Sequence, residues 1–218
     1  FAASVDHAGA SLYMSSSKPP QWYANTSFKA CAAPPPQKMT AAIAKRKRDA
    51  EVAFIHSLAR TTNVDGWTRN KNWNSKSIAC FEWEGLKSVS VSSGAGRPAL
   101  VRVDEVRLGS NNLKGSLPSS FMWRELEVLS LIELQCNAIG GPLPSLASLK
   151  RLIVIDVRGN YFEGSLPEHM PPQLQRLLLR ENRFEGLIPQ WRCPELRALS
   201  LSANRLEGFA ENCVDPAE

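Results

Sequence analysis

Aliphatic positions in the second half of the chain recur in a fixed register. Segments starting at Val103, Leu129, Leu152, Leu174 and Leu196 each place two aliphatic residues around a single intervening one, as at Val106 and Leu108 or Leu199 and Leu201. That is the period-two spacing of a short strand with one buried face. Three residues after the second aliphatic comes an asparagine, Asn111, Asn137, Asn160, Asn182 or Asn204, and four residues later a glycine, Gly115, Gly141, Gly164, Gly186 or Gly208. The shared frame is L-x-x-L-x-L-x-x-N-x-L-x-G-x-[LI]-P, and the last unit carries Glu211 where the others have proline. The asparagine falls where the chain must turn, so its amide is expected to pair backbone groups left open there. The glycine allows a backbone angle or a close approach that a Cβ would obstruct, and the proline fixes φ beyond it. A unit of 22 to 26 residues cannot bury its own apolar face. The units must therefore stack into a solenoid.

Upstream the periodicity changes. Ala50, Phe54 and Leu58 form a stripe at i, i+4 and i+8, which predicts a helix from about Thr40 to Thr61 lying against the first coil. Residues 1–38 are rich in Ser, Ala and Pro, include Pro34-Pro35-Pro36, and cannot build a core. Trp22, Tyr23 and Phe28 in that leader are candidate anchors onto a partner.

The repeat frame resembles the leucine-rich repeat family, specifically its plant-type subclass, in which L-x-G-x-[IL]-P follows the asparagine. Residues 51–90, with Ile55, Leu58, Trp67, Trp73, Cys80 and W83-x-G85-L86, resemble the cap that precedes such repeats. The resemblance implies an α/β solenoid: a short right-handed coil with a parallel β-strand ladder on its concave side, a helical N-terminal cap and an extended leader. The expected boundaries are 1–38 leader, 39–100 cap, 101–211 five-repeat solenoid and 212–218 tail. At a strand spacing of ~4.8 Å, five coils make a solenoid ~25 Å long. The family's cap also implies a cysteine pair flanking the W-x-G element. Here Cys80 is present but Ser88 stands where the second cysteine belongs, so that bridge cannot form.

The formal charge is +5, and all of it lies in residues 1–61, which hold eight basic against three acidic residues. The densest run, Lys45-Arg46-Lys47-Arg48, lacks the aromatic or groove-reading companions that nucleic-acid binding requires, and a solvated helix face explains it as well. Five cysteines without regular spacing argue against a disulfide framework, although a Cys193–Cys213 bridge is conceivable. The histidines His7, His56 and His169 are scattered, and no catalytic triad, phosphate loop or metal-binding spacing is present. No catalytic residue, metal or cofactor is expected.

Binding is left to the strand face. Between the paired aliphatics run Arg107, Glu133, Asp156, Leu178 and Ser200, and just after them Gly109, Gln135, Arg158, Arg180 and Ser202. Alternation points these away from the core. Arg107, Glu133, Gln135, Asp156, Arg158 and Arg180 are the candidate contacts. Arg158 and Arg180 lead, because like charges on successive strands invite a neutralising partner; Asp156 and Glu181 are the competing local neutralisers. The expected function is a non-enzymatic protein-protein interaction module, an accessory subunit docking onto a larger organellar, photosynthetic-type complex and meeting a membrane only through a membrane-protein partner. Phe1-Ala-Ala-Ser is similar to what remains after signal cleavage in precursors bound for complex plastids of red-lineage algae, which favours a plastid. The plant-type resemblance also covers secreted or cell-surface recognition proteins, receptor ectodomains and hydrolase inhibitors among them, and this is the alternative, against which the missing cap cysteine weighs. A glycan binder using the cap tryptophans ranks below both, since those rings are better spent on packing.

Overall fold

The computed structural model describes residues 41–73, 83–91 and 100–210. Helix α1 (Ala41–Thr61) is followed by a 3-10 turn at Val64–Gly66 and by strand β1 (Leu86–Val91). Strands β2 (Leu100–Arg107), β4 (Leu131–Glu133), β6 (Val154–Asp156), β8 (Arg176–Leu178) and β10 (Ala198–Ser200) then come one per coil. They form a parallel ladder in chain order, and β1 adds antiparallel to β2 at its edge, giving six strands. Parallel strands need a crossover between them, and here each crossover is the rest of a repeat.

A second sheet was not legible from the pattern. Strands β3 (Lys114–Ser116), β5 (Ala138–Gly141), β7 (Tyr161–Ser165), β9 (Arg183–Ile188) and β11 (Arg205–Phe209) pair in parallel along the side of the coil. Each carries the repeat glycine at positive φ, between 75° and 149°. Those glycines interrupt the simple alternation by which a strand is read, and the sheet registers shift at one of them, Gly208.

The core runs unbroken through the stack. Ile132, Ile155 and Leu177 face inward from the concave ladder, and Leu113, Ile139, Phe162 and Phe184 from the side sheet, each at most 1 % exposed. Phe162 and Phe184 stack in parallel at 6.1 Å, one coil apart. One further helical turn, α2 (Ser120–Trp123), sets Trp123 against Phe54 of α1 at 4.6 Å, edge to face. α1 thereby buries Phe54, Ile55 and Leu58 over the first coil.

The tryptophans of the cap are packing residues. Trp67, Trp73 and Trp83 are buried, with Trp73 centred 4.6 Å from Trp67 and 5.2 Å from Trp83. Trp67 donates its ring N–H to Thr62 O and Trp73 donates to Glu84 O, both at 2.8 Å. No surface remains there for stacking a sugar. Ser88 sits in β1 beside a register shift, its hydroxyl buried and unpartnered among the described residues; Cys80 lies outside them.

α1 is also held by charge. Arg102 on β2 donates to Glu51 on α1 at 2.8 Å, and both side chains are buried. Glu51 Oε2 has no partner among the described residues, and burial, outweighing the attraction of Arg102, pushes the Glu51 carboxyl above its ordinary range. Lys47, within the basic run, donates to Glu127 at 2.8 Å, while Lys45, Arg46 and Arg48 are exposed.

Candidate functional site

Each repeat asparagine turns inward at the end of its ladder strand and ties its coil to the one before. Asn160 donates to Leu134 O of the preceding coil and Val157 O of its own, at 2.9 and 3.0 Å, and accepts from the Ile139 N–H at 3.1 Å. Asn182 repeats this with Val157 O, Leu179 O and the Phe162 N–H, and Asn204 with Leu179 O, Leu201 O and the Phe184 N–H. Asn137 accepts from the N–H groups of both Asn111 and Leu113. Asn111 reaches the cap, donating to Arg69 O and accepting from the Arg69 N–H. Their amides are consumed by backbone and do not face a ligand.

The residue before each asparagine adopts positive φ, at Ser110, Cys136, Gly159, Glu181 and Ala203, between 51° and 63°. Four of these five are not glycine, which is why the column is silent in the sequence. The left-handed turn it imposes swings the chain off the concave ladder into the side sheet.

The concave columns lie on the ladder as the alternation implied, but Asp156 and Leu178 are buried there. Arg107, Glu133, Asp156, Leu178 and Ser200 are in direct register across β2, β4, β6, β8 and β10. Their charges are mostly paired with one another. Glu105 accepts from both Lys87 and Arg107 at 2.5 Å, and Arg107 also donates to Glu133 at 2.7 Å. Burial pushes the Glu105 carboxyl up, but those two hydrogen bonds win and hold it below the usual range; the bond to Glu105 pushes Arg107 up.

Farther along, Arg158 folds back on Asp156 with two parallel bonds of 2.9 and 2.7 Å, covering that carboxylate almost completely. Arg180 pairs with Glu181 at 3.0 Å, with both side chains more than half exposed. The two arginines, Gln135, Cys136, Gly159 and Glu181 enclose a pocket of about 270 Å³ on the concave side. Both local neutralisers are therefore engaged, but unequally: Asp156 is a buried fixture, and Glu181 makes a surface pair of the kind worth ~0–1 kcal/mol.

Another outward column escaped the sequence reading. The residue before the paired aliphatics, Glu105, Leu131, Val154, Arg176 and Ala198, also lies on the concave sheet in register. Leu131 and Val154 are half-buried and Arg176 is exposed. Extending the alternation one step toward the N-terminus would have found it. The leader anchors Trp22, Tyr23 and Phe28, and Cys213, lie outside the described residues. Cys193 is a buried free thiol directed at Pro171 O, at 3.7 Å, and burial pushes its pKa up to about 11. A larger concavity of about 360 Å³ at the end of α1, lined by His56, Arg60, Asp65 and Trp73 among others, is remote from the concave arginines in sequence and belongs to the cap. Among the described residues no group of His, Cys, Asp and Glu is arranged to hold a metal, and no helix is long and apolar enough to cross a membrane.

Superposition on solved structures places this geometry. The leucine-rich repeat ectodomain of the receptor kinase SOBIR1 from Arabidopsis thaliana matches with a TM-score of 0.54 at 21 % identity, over 74 % of this chain and 97 % of that one. A pollen receptor kinase 3 matches with a TM-score of 0.54 at 24 % identity, over 70 % of this chain and 71 % of the other. The fold is the plant-type leucine-rich repeat solenoid. Sequence relatives of this leucine-rich repeat chain include a probable inactive receptor kinase of Arabidopsis thaliana, 31 % identical over 111 residues. A receptor protein kinase of Oryza sativa subsp. japonica is 33 % identical over 107 residues. The matched stretches cover 50 % and 49 % of this chain but only 16 % and 10 % of those proteins. No family model matches the leucine-rich repeat chain.

Proposed function

We propose that the protein is a non-catalytic recognition module, secreted or displayed at the cell surface, that docks protein partners on its concave sheet. The observation supporting this reading is the sheet itself: two columns in register on successive strands and a third just past the strand ends, mixing apolar and charged groups along one ladder. Rigid elements hold contact residues in place better than loops do, and ordering them costs little on binding. The extracellular setting draws support from the receptor-kinase relatives and the ectodomain neighbour. The organellar accessory-subunit reading finds no counterpart among them, so the alternative kept open by the repeat resemblance becomes the preferred one. Fold alone does not name the partner, because this scaffold hosts many specificities.

Photo-crosslinking tests the face, with a benzophenone amino acid placed at the exposed Arg176 on β8 or, as control, at Arg151 in the source cells. Protein adducts from position 176 and none from position 151, recovered with the extracellular or plasma-membrane fraction, are expected. Adducts confined to Arg151 would overturn concave docking, and recovery with an organelle would restore the subunit reading.

A further inference from the structure

The outer face of α1 carries charge that nothing in the solenoid answers. From His7 to Arg48 the chain has no aspartate or glutamate, and seven lysines and arginines fall in that run, so the preceding segment supplies nothing to neutralise the helix. Four of the seven lie in the second turn of α1. Lys47 turns in to Glu127, while Lys45, Arg46 and Arg48 are exposed and make no hydrogen bond or ion pair among the described residues. Helix stability does not account for them. The macrodipole favours acids in the first turns, and α1 has no acid in its first turn and bases in the second. Departures from a local rule of this kind mark surfaces kept for another purpose.

At 3.6 residues per turn, Lys45, Asp49, Ala53, His56 and Arg60 share one stripe of the helix, with Arg46 and Arg48 on either side of its start. All of these are exposed, on the side away from Phe54, Ile55 and Leu58. Four cations and a single acid, Asp49, therefore lie along a track of about 22 Å from Lys45 to Arg60. The track runs into the concavity of about 360 Å³ at the end of α1, lined by His56, Ala59 and Arg60 from the helix and by Asn63, Val64 and Asp65 from the turn that follows. Asn63 holds a left-handed φ of 55° and makes no side-chain capping bond, so its amide is not committed to that turn.

The groups on the track select among polyanions. Single-stranded nucleic acid is gripped by stacking on aromatic faces, and the one ring here, His56, already packs edge-on to Trp83 at 5.1 Å. A bilayer surface needs bulky apolar side chains on the same face, and the stripe offers only Ala53. The concavity has a different character: Arg60 suits an acid group, while an amide and a carboxylate side by side suit neutral hydroxyls. A phosphate chain would be repelled by Asp65; a sugar hydroxyl donates to it.

We infer that α1 is a binding track for a linear acidic polysaccharide. A uronate unit sits in the concavity with its carboxylate on Arg60 and its hydroxyls on Asn63 and Asp65, and the carboxylates of further units reach Arg48, Arg46 and Lys45. The tryptophans of the cap stay buried and offer it no ring face. This rests on the extracellular reading and adds a second ligand, on the cap and away from the concave sheet.

The test is titration of the purified full chain with polygalacturonate, with its fully methyl-esterified form, with single-stranded DNA and with phosphatidylserine vesicles, at one ionic strength near 0.15 M. Polygalacturonate should bind at least about tenfold more tightly than each of the others, the methyl ester keeping the backbone and losing the charge. Changing Lys45, Arg46 and Arg48 together to Gln should weaken binding about tenfold with an unaltered thermal midpoint, since none of the three is paired. Asn63→Gly keeps the left-handed turn and removes the amide, and should weaken binding about threefold. Asp49→Asn removes the opposing charge and should tighten it about twofold, which structural damage would not do. Equal affinity for the methyl ester, tighter binding to DNA or vesicles, or no binding at all would overturn the inference. Loss in the triple variant with indifference to Asn63→Gly would overturn the seated uronate, leaving bare charge attraction. None of these failures touches concave docking or the extracellular setting, which crosslinking and fractionation decide separately.

Discussion

The first coil and the last described coil use the same residue types at the same register, yet they bury them differently. Val106, Leu108 and Leu113 of the first are at most 1 % exposed, whereas Leu199, Leu201 and Leu206 of the last are only half-buried. The first coil has α1 and the tryptophan cluster on one side and a second coil on the other. Neighbours, and not the repeat's own composition, decide how deep a leucine sits, as expected where each unit contacts only the adjacent ones. The same contrast runs through the polar residues. Arg102 beside the first coil is buried against Glu51, while Arg205 in the last is exposed.

That contrast can be broken most sharply at the buried pair. Arg102→Leu strands Glu51 in the interface between α1 and β2, and removing one partner of such a pair costs about 3–5 kcal/mol. Arg205→Leu, on an exposed strand position, should stay within ~0.5 kcal/mol. Urea unfolding of both variants measures the difference. Equal losses would mean that the cap is not coupled to the first coil as tightly as the geometry requires.

The asparagine ladder gives the next largest effect. Asn160 is buried and bridges two coils whose backbones are covered on both sides. Asn160→Ala should cost about 3 kcal/mol, since more than one buried backbone group is orphaned at 1–3 kcal/mol each. Asn204 makes the same bonds from a half-buried site, where water can replace part of them, and Asn204→Ala should cost about 1 kcal/mol. Comparable losses at the two positions would contradict the gradient of burial along the stack.

The repeat itself was readable because leucine spacing, asparagine and glycine all answer to backbone geometry, which does not depend on what binds. The concave columns at Arg107 and Gly109 were readable for the same reason. The buried Glu51–Arg102 pair was not, because within a charged helix segment nothing distinguishes Glu51 from Asp49 until the solenoid lies against it. The apolar pair at Leu131 and Val154 was hidden by its own composition: in L-x-L-x-L runs an outward leucine looks like an inward one. The balance between Asp156 and Glu181 as neutralisers likewise needed coordinates, since one proves buried and the other exposed.

Acidity separates two carboxylates placed on opposite sides of the same strand pairing. Glu51, with Arg102, Lys47 and Glu127 around it, has a folded-state pKa raised above 4.5, so its favourable contribution is fully present below that value and is lost as pH rises through the folded pKa. Glu105, bonded by Lys87 and Arg107, has a folded-state pKa lowered below 4.5, so its contribution is present above that value and is lost as pH falls through the folded pKa. Glu51→Gln should therefore flatten the stability profile above pH 4.5, and Glu105→Gln should flatten it below, by smaller amounts than either substitution above. Urea midpoints across the acid range read both. A Glu51→Gln variant whose profile differs from the parent only below 4.5 would contradict the sign assigned to burial there.

The smallest effect separates two members of the left-handed column. Gly159 and Ala203 hold φ of 63° and 55° at equivalent places in the third and fifth coils, one with no side chain to strain and one with a methyl. A left-handed alanine costs ~1–2 kcal/mol in conformation, and glycine's greater freedom when unfolded takes back roughly half of that. Ala203→Gly should thus stabilise the protein by about 0.5 kcal/mol. Gly159→Ala should destabilise it by a similar or slightly larger amount, because a Cβ there would meet Cys136 only at ordinary contact distance, 3.6 Å, leaving backbone strain as the main penalty. Opposite signs in thermal unfolding are the expected result. If both substitutions destabilise, the fifth coil tolerates its methyl through some contact in the surrounding turn, and the column is then set by packing in each coil and not by a backbone angle common to all.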